Sequence, residues 1–247
     1  MMPNNRKVHL FIPCFVDQIY PQTGLATVKL LRMAGCNIIY PKEQTCCGQP
    51  AFNSGYRETA TNLAERFIKI FNDAEYIVSP SASCVSMIKN HYAELDLRPL
   101  VRHEYDNIKH RIFELSEFLV DELKCTDFNA TFPHRVAYHT SCHGYRELGI
   151  YDQPVELLRK VKGIDLVEPD DRKQCCGFGG TFSVKFPELS TTIGEDKVEA
   201  IQQTGADVVT STDDSCLMHL QGLFSRNKIP IQTLHYARII AGGEALI

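Results

Sequence analysis

Short apolar runs alternate with longer amphipathic stretches along this chain. Val8–Pro13, Asn37–Tyr40 and Tyr76–Ser79 in the first half have the length and composition of buried strands. Val136–His139, Asp165–Val167 and Asp207–Thr210 do the same in the second half. Between them, Thr27–Met33, Arg57–Phe71, Val155–Val161 and Thr191–Gln203 carry apolar residues at helical spacing. Strand–helix alternation of this kind predicts an α/β fold with mainly parallel sheets. Val101–Lys124 is mostly polar, with Ile108, Ile112, Leu115, Leu119 and Leu123 recurring at three- and four-residue steps, and predicts one long amphipathic helix. A domain boundary is expected just after it, near Ala130, giving residues 1–130 (with the connecting helix) and 131–247.

Composition narrows the function classes. Of the 247 residues, 44% are hydrophobic and 23% charged, as in ordinary globular proteins. The net charge of −4, with Lys and Arg scattered, argues against nucleic acid or an anionic membrane as partner. No run approaches the roughly 18 uninterrupted apolar residues of a membrane span. Met1–Lys7 is polar and Val8–Pro13 too short for a secretory signal, so a cytoplasmic location is expected. In a reducing compartment, the 10 cysteines are more naturally metal ligands or redox groups than disulfides.

The cysteines also reveal a duplication. Cys46-Cys47-Gly48 and Cys175-Cys176-Gly177 are preceded by Cys14 and Cys142, after 31 and 32 intervening residues, and followed by Cys84 and Cys216, after 36 and 39. The context repeats too: Val28-Lys29-Leu30-Leu31-Arg32 corresponds to Val155-Glu156-Leu157-Leu158-Arg159, and Ser83-Cys84 to Ser215-Cys216. A period of this size signals two homologous domains, expected to be related by a pseudo-twofold axis, and not a solenoid. Each repeated cysteine falls just after a predicted strand, the edge where open α/β sheets bind ligands. Three strand-end loops per repeat can thus gather four thiols: Cys14, Cys46, Cys47 and Cys84 in one site, Cys142, Cys175, Cys176 and Cys216 in the other.

Four cysteines suit an iron–sulfur cluster, and thiolates also suit zinc. Zinc sites usually contain close pairs such as C-x₂-C, absent here, which favours a cluster. Cys36 and Cys125 fall outside the repeat and read as buried packing residues. His219, three residues past Cys216, is a candidate additional ligand, and the matching Met87 reads as core. His139 and His143 flank Cys142 and read as making ordinary polar contacts. No G-x-G-x-x-G fingerprint for a dinucleotide is present; Gly177-Phe178-Gly179-Gly180 follows a cysteine doublet and has the wrong spacing.

The two-fold Cys…Cys-Cys-Gly…Cys arrangement resembles the cysteine-rich CCG domain found in heterodisulfide reductase and in the iron–sulfur component of glycolate oxidase. Three stretches make the chain most similar to the lactate-utilisation protein A family (LutA, YkgE): Cys46–Gly55, Ser79–Cys84 and Cys175–Lys185. The similarity covers nearly the whole chain. It implies an iron–sulfur electron-transfer subunit of a complex that oxidises L-lactate or a similar 2-hydroxy acid, not binding NAD itself. It also implies two partners, a LutB-like ferredoxin-type iron–sulfur protein and a LutC-like subunit, and one or two clusters, with zinc as the alternative metal. Heterodisulfide reductase repeats end in Cys-x-x-Cys and supply a fifth thiol; here Met87 and His219 stand in that place, so a conventional [4Fe–4S] cluster with four cysteines is the expectation. A cluster-dependent thiol or disulfide reductase and a redox-silent zinc scaffold are the rival readings.

Overall fold

A computed structural model describes residues 5–170 and 173–242. The chain divides into two compact units, Met1–Leu123 and Lys124–Ile247. The division falls a little before Ala130.

The first unit runs β1 (Lys7–Leu10), α1 (Cys14–Gln18), α2 (Pro21–Met33), β2 (Asn37–Ile39), α3 (Gln49–Asn53), α4 (Arg57–Phe71), β3 (Tyr76–Ser79), α5 (Ala82–Ser86), α6 (Pro99–Ile108), β4 (Ile112–Glu114) and α7 (Leu115–Glu117). The second runs β5 (Arg135–Tyr138), α8 (Asp152–Arg159), β6 (Asp165–Val167), α9 (Thr181–Lys185), α10 (Pro187–Gln203), β7 (Val208–Thr210), α11 (Asp214–Arg226), β8 (Gln232–Thr233) and α12 (Tyr236–Ile240). Each unit holds a four-stranded sheet, in the orders β2-β1-β3-β4 and β6-β5-β7-β8, and all the pairings are parallel. The α/β expectation therefore holds.

A parallel sheet is covered on both faces, so its central strands are apolar throughout. Val8, Leu10, Ile77 and Val78 are at most 1% exposed, as are Val136, Ala137, Val208 and Val209 in the second unit. One covering helix in each unit presents the same stripe. Ala60, Ala64, Phe67, Ile68 and Phe71 are the buried positions of α4, and Ser190, Gly194, Lys197, Val198 and Ile201 those of α10. The steps between successive members are identical, which aligns the two helices residue by residue.

The long helix expected over Val101–Lys124 is not formed. α6 stops at Ile108, and Ile112–Glu114 pairs with β3 in the register Ile77↔Ile112, Val78↔Phe113 and Ser79↔Glu114. Ile108, Ile112, Leu115 and Leu119 are all fully buried, so the apolar spacing was real, but the backbone is extended over Ile112–Glu114. Ile112 and Phe113 suit a strand. Glu114 then restarts a helix with a capping box: its side chain accepts from Ser116 N at 2.7 Å, and Glu117 Oε2 accepts from Glu114 N at 3.3 Å.

Candidate metal centre

In each unit the middle strand and its two neighbours end along one edge, where the connections diverge to either side. Cys14 opens α1 directly after β1, Cys46 and Cys47 lie in the loop after β2, and Cys84 lies in α5 after β3. In the second unit Cys142 follows β5, Cys175 and Cys176 follow β6, and Cys216 lies in α11 after β7. The eight predicted ligands are thus placed at two strand-end sites, four to each. Cys36 and Cys125 are buried elsewhere, at 9% and 6% exposure.

Within the first site, Cys14 Sγ stands 3.7 Å from Cys46 Sγ and Cys47 Sγ 3.3 Å from Cys84 Sγ. Cys46 and Cys47 are linked by a thiol hydrogen bond as well. The second site has the same links, from Cys142 to Cys175, Cys175 to Cys176, and Cys176 to Cys216. Depth is repeated too. Cys47, Cys84, Cys176 and Cys216 are buried, while Cys14, Cys46, Cys142 and Cys175 are half-exposed.

The doublets share one backbone device. Gly48 N and Gly177 N each donate to the sulfur of the first doublet cysteine, Cys46 or Cys175, at 3.4 Å. Both glycines sit at positive φ, +88° and +89°, the left-handed region that favours glycine. Tyr92, buried, donates from its hydroxyl to Cys47 O at 2.9 Å and fixes the second doublet residue. Gln44 ties the loop to β1: its Oε1 accepts from Ile12 N at 2.7 Å, and its Nε2 donates to Leu10 O at 3.1 Å and Pro41 O at 2.8 Å.

These contacts divide the thiols electrostatically. Cys46 is pulled far below the ordinary thiol range by hydrogen bonds from Cys14 and Cys47 and by the Gly48 amide. Cys175 is pulled down in the same way by Cys142, Cys176 and Gly177. Cys14 and Cys47 are pushed up, first by giving their protons to Cys46 and then by burial; Cys47 also gains from Cys84. Cys142 and Cys176 follow suit against Cys175. One ready thiolate per site, surrounded by protonated donors, is a nucleus for metal capture.

The donor set fits a thiolate-ligated metal group. In the first unit the sulfurs link in a chain. Among the described residues, the single trio of cysteine, histidine or carboxylate ligand atoms lying within 4.8 Å of one another is His139, Cys176 and Cys216, all buried.

His219, the candidate extra ligand, is not a member of that trio. Its imidazole lies near the Phe178 ring, with centroids 6.0 Å apart, hydrogen-bonds the Ser190 backbone, and stands where a methyl on Gly177 or Gly194 would meet it. Met87 is fully buried. His143 lies beside its neighbour, with Nδ1 3.5 Å from Cys142 Sγ. The residue whose position the sequence reading undervalued is His139. Lining up the repeats, with Phe11 three residues before Cys14 and His139 three before Cys142, exposes the signal: an apolar strand-end position in one copy has become an imidazole in the other.

Residues 8–89 and 136–221 each match the family model described as CCG, cysteine-rich domain, so the molecule is a tandem cysteine-rich protein. Curated relatives share its full length. Lactate utilization protein A of an Exiguobacterium species is 44% identical over 98% of both chains. The protein of that name from Halalkalibacterium halodurans is 43% identical over 95% of this chain and 96% of its own. The chain belongs to the lactate utilization protein A family. Among solved structures, a hypothetical protein from Helicobacter pylori has a similar fold, with TM-score 0.58 at 14% identity; the match covers 97% of this chain and spans about half, 49%, of that one. No helix among the described residues is long and apolar enough to cross a membrane.

Proposed function

We propose that this chain is an iron–sulfur electron-transfer subunit of a system that oxidises L-lactate or a similar 2-hydroxy acid, with one cluster held by each unit. The observation that carries the reading is the pair of four-thiol sites, built from the same three strand ends and with the same doublet turn. Cys14, Cys46, Cys47 and Cys84 hold one cluster; Cys142, Cys175, Cys176 and Cys216 hold the other, and four thiolates suffice for a [4Fe–4S] group. Such a group, when bound, accepts and donates single electrons. The protein keeps one side of each site dry with the buried cysteines and leaves the half-exposed pair facing outward, the side from which a donor or acceptor protein can approach. The Gly48 and Gly177 amides, donating to sulfur, stabilise negative charge there and tune the potential. The relatives' name, lactate utilization protein A, supports the substrate class. The chain works as a non-autonomous part of an oxidoreductase, with a ferredoxin-type iron–sulfur protein and a third subunit as partners.

The test is iron, zinc and acid-labile sulfide content on anaerobically purified protein, with EPR after dithionite. About four to eight irons with matching sulfide and a reduced-cluster signal are expected. Zinc without sulfide in protein never exposed to oxygen rejects electron transfer and leaves a zinc scaffold. Turnover of a disulfide by the isolated chain with a reduced donor would instead favour a reductase.

A further inference from the structure

The floors of the two sites differ at one pair of positions, and the fold shows that the positions are equivalent. Phe11 N donates to Val78 O at 2.9 Å, and His139 N donates to Thr210 O at 2.8 Å, so both residues continue the central strand by one step into the site. The aligned stripes of α4 and α10 place Phe67 opposite Lys197. In the first unit the pair is apolar: the rings of Phe11 and Phe67 meet edge to face, centroids 5.0 Å apart. In the second it is His139 and Lys197, both essentially without exposure. The fold therefore accepts a hydrophobic pair at this place, and the second unit has a polar one.

His139 is 1% exposed, and neither of its ring nitrogens has a hydrogen-bond partner. A buried imidazole with both nitrogens unpaired is a costly arrangement unless something binds it. Its ligand nitrogen and the sulfurs of Cys176 and Cys216 all lie within 4.8 Å of one another. We propose that His139 is a metal ligand of the second site beside Cys176 and Cys216, so that this site has mixed thiolate–imidazole ligation where the first has thiolates alone. The proposal rests on reading the strand-end thiols as a metal centre and deepens it by making the two centres unlike. Imidazole in place of a thiolate raises a cluster's potential, so a second site held in part by His139, with one of its thiols left off the cluster, would be the electron sink of the two.

The test uses full-length protein purified anaerobically from cells fed either unlabelled or ¹⁵N-labelled histidine, reduced with dithionite and examined by pulsed EPR. A strong nitrogen coupling that changes with the label is expected in wild type and in His219→Gln. It is expected to vanish in His139→Phe and in His139→Phe/Lys197→Phe, the second variant copying the aromatic floor of the first unit should the single one fold poorly. One of the two midpoint potentials is expected to fall in the same variants. An intact cluster signal without histidine coupling, or a coupling that survives His139→Phe, overturns the proposal and leaves His139 as at most a hydrogen-bond donor to sulfur. If the protein carries zinc and no sulfide, the electron-transfer reading fails separately. Ligation is then decided by ¹¹³Cd exchange and ¹¹³Cd–¹⁵N coupling: a coupling lost in His139→Phe upholds it, and none overturns it.

Discussion

Alanine at the two doublet glycines separates conformational strain from crowding. Gly48 and Gly177 have nearly the same φ, +88° and +89°, so alanine at either pays the left-handed penalty, about 1–2 kcal/mol. At Gly48 that is nearly all, because the added methyl meets Ala60 O and Leu63 Cβ at 3.5 Å, ordinary contact. At Gly177 the methyl collides with the Ser190 carbonyl oxygen and stands 3.0 Å from Gly194 N. Helix α10 comes this close because its own Gly194 replaces the alanine of α4; a methyl on Gly194 would be 3.1 Å from Cys176 O. Neither obstacle is a flexible side-chain end, so overpacking adds about 1–3 kcal/mol. Gly48→Ala should cost about 1–2 kcal/mol and Gly177→Ala about 2–5 kcal/mol. The assay is urea unfolding of the reduced, metal-free chain followed by circular dichroism, comparing the transition each substitution moves. Equal losses, or a larger loss at Gly48, would refute the claim that the second unit packs its helix closer to the doublet.

Other outcomes follow from the same sites. Metal binding needs thiolates, so it must displace the protons held by the raised thiols. At least Cys14 and Cys47 do so in the first unit; in the second, Cys142 and Cys176 are joined by Cys216, whose bond from Cys176 pulls it down but is outweighed by burial and Asp213. Apparent Zn²⁺ affinity of the metal-free chain should therefore rise with pH, about tenfold per pH unit for each proton displaced; a flat response between about pH 6 and 8 would contradict the assigned protonation. Gln44→Leu removes three hydrogen bonds to the Ile12, Leu10 and Pro41 backbone and should cost about 2–4 kcal/mol in denaturant unfolding; a loss below about 0.5 kcal/mol would show the loop is held otherwise. Cys36→Ala and Cys125→Ala should leave metal content at the wild-type level, and a drop in either would break the assignment of four thiols to each site.

What could be seen from sequence was whatever depended on local pattern. Tyr76–Ser79 and Asp165–Val167 form strands with the expected limits, and Arg57–Phe71 a helix with both ends as expected, because apolar runs and helical spacing are written in consecutive residues. The strand-end position of each cysteine followed from those runs. The fourth strand of each sheet did not. Ile112–Glu114 hides inside a spacing that also suits a helix, and only pairing with β3 decides between the two. Gln232–Thr233 is two residues long and polar, with its strand character supplied entirely by Val208 and Val209 beside it. His139 was misjudged for a similar reason. Its surroundings come from α10, the doublet loop and α11, and no stretch of neighbouring residues announces them.

The duplication supplies its own control for deciding which features serve the frame and which serve the chemistry. Features present in both units, such as the doublet glycine amide on the first sulfur and the deep and shallow cysteine pairs, are what either site needs to assemble four thiols. A feature present in one unit alone is not required for assembly, since its counterpart gathers the same thiols without it. The polar floor of the second site is of this kind: Phe11 and Phe67 fill the same space in the first. Keeping a buried imidazole and a buried lysine where a phenylalanine pair fits costs stability, because polar groups lose water there. That cost falls on the one site whose floor reaches the sulfurs of Cys176 and Cys216. On the proposed reading, two identical one-electron centres would give an electron no preferred direction, whereas two centres with different floors would. The asymmetry at His139 and Lys197 is therefore better understood as setting the properties of the second site than as drift within its core.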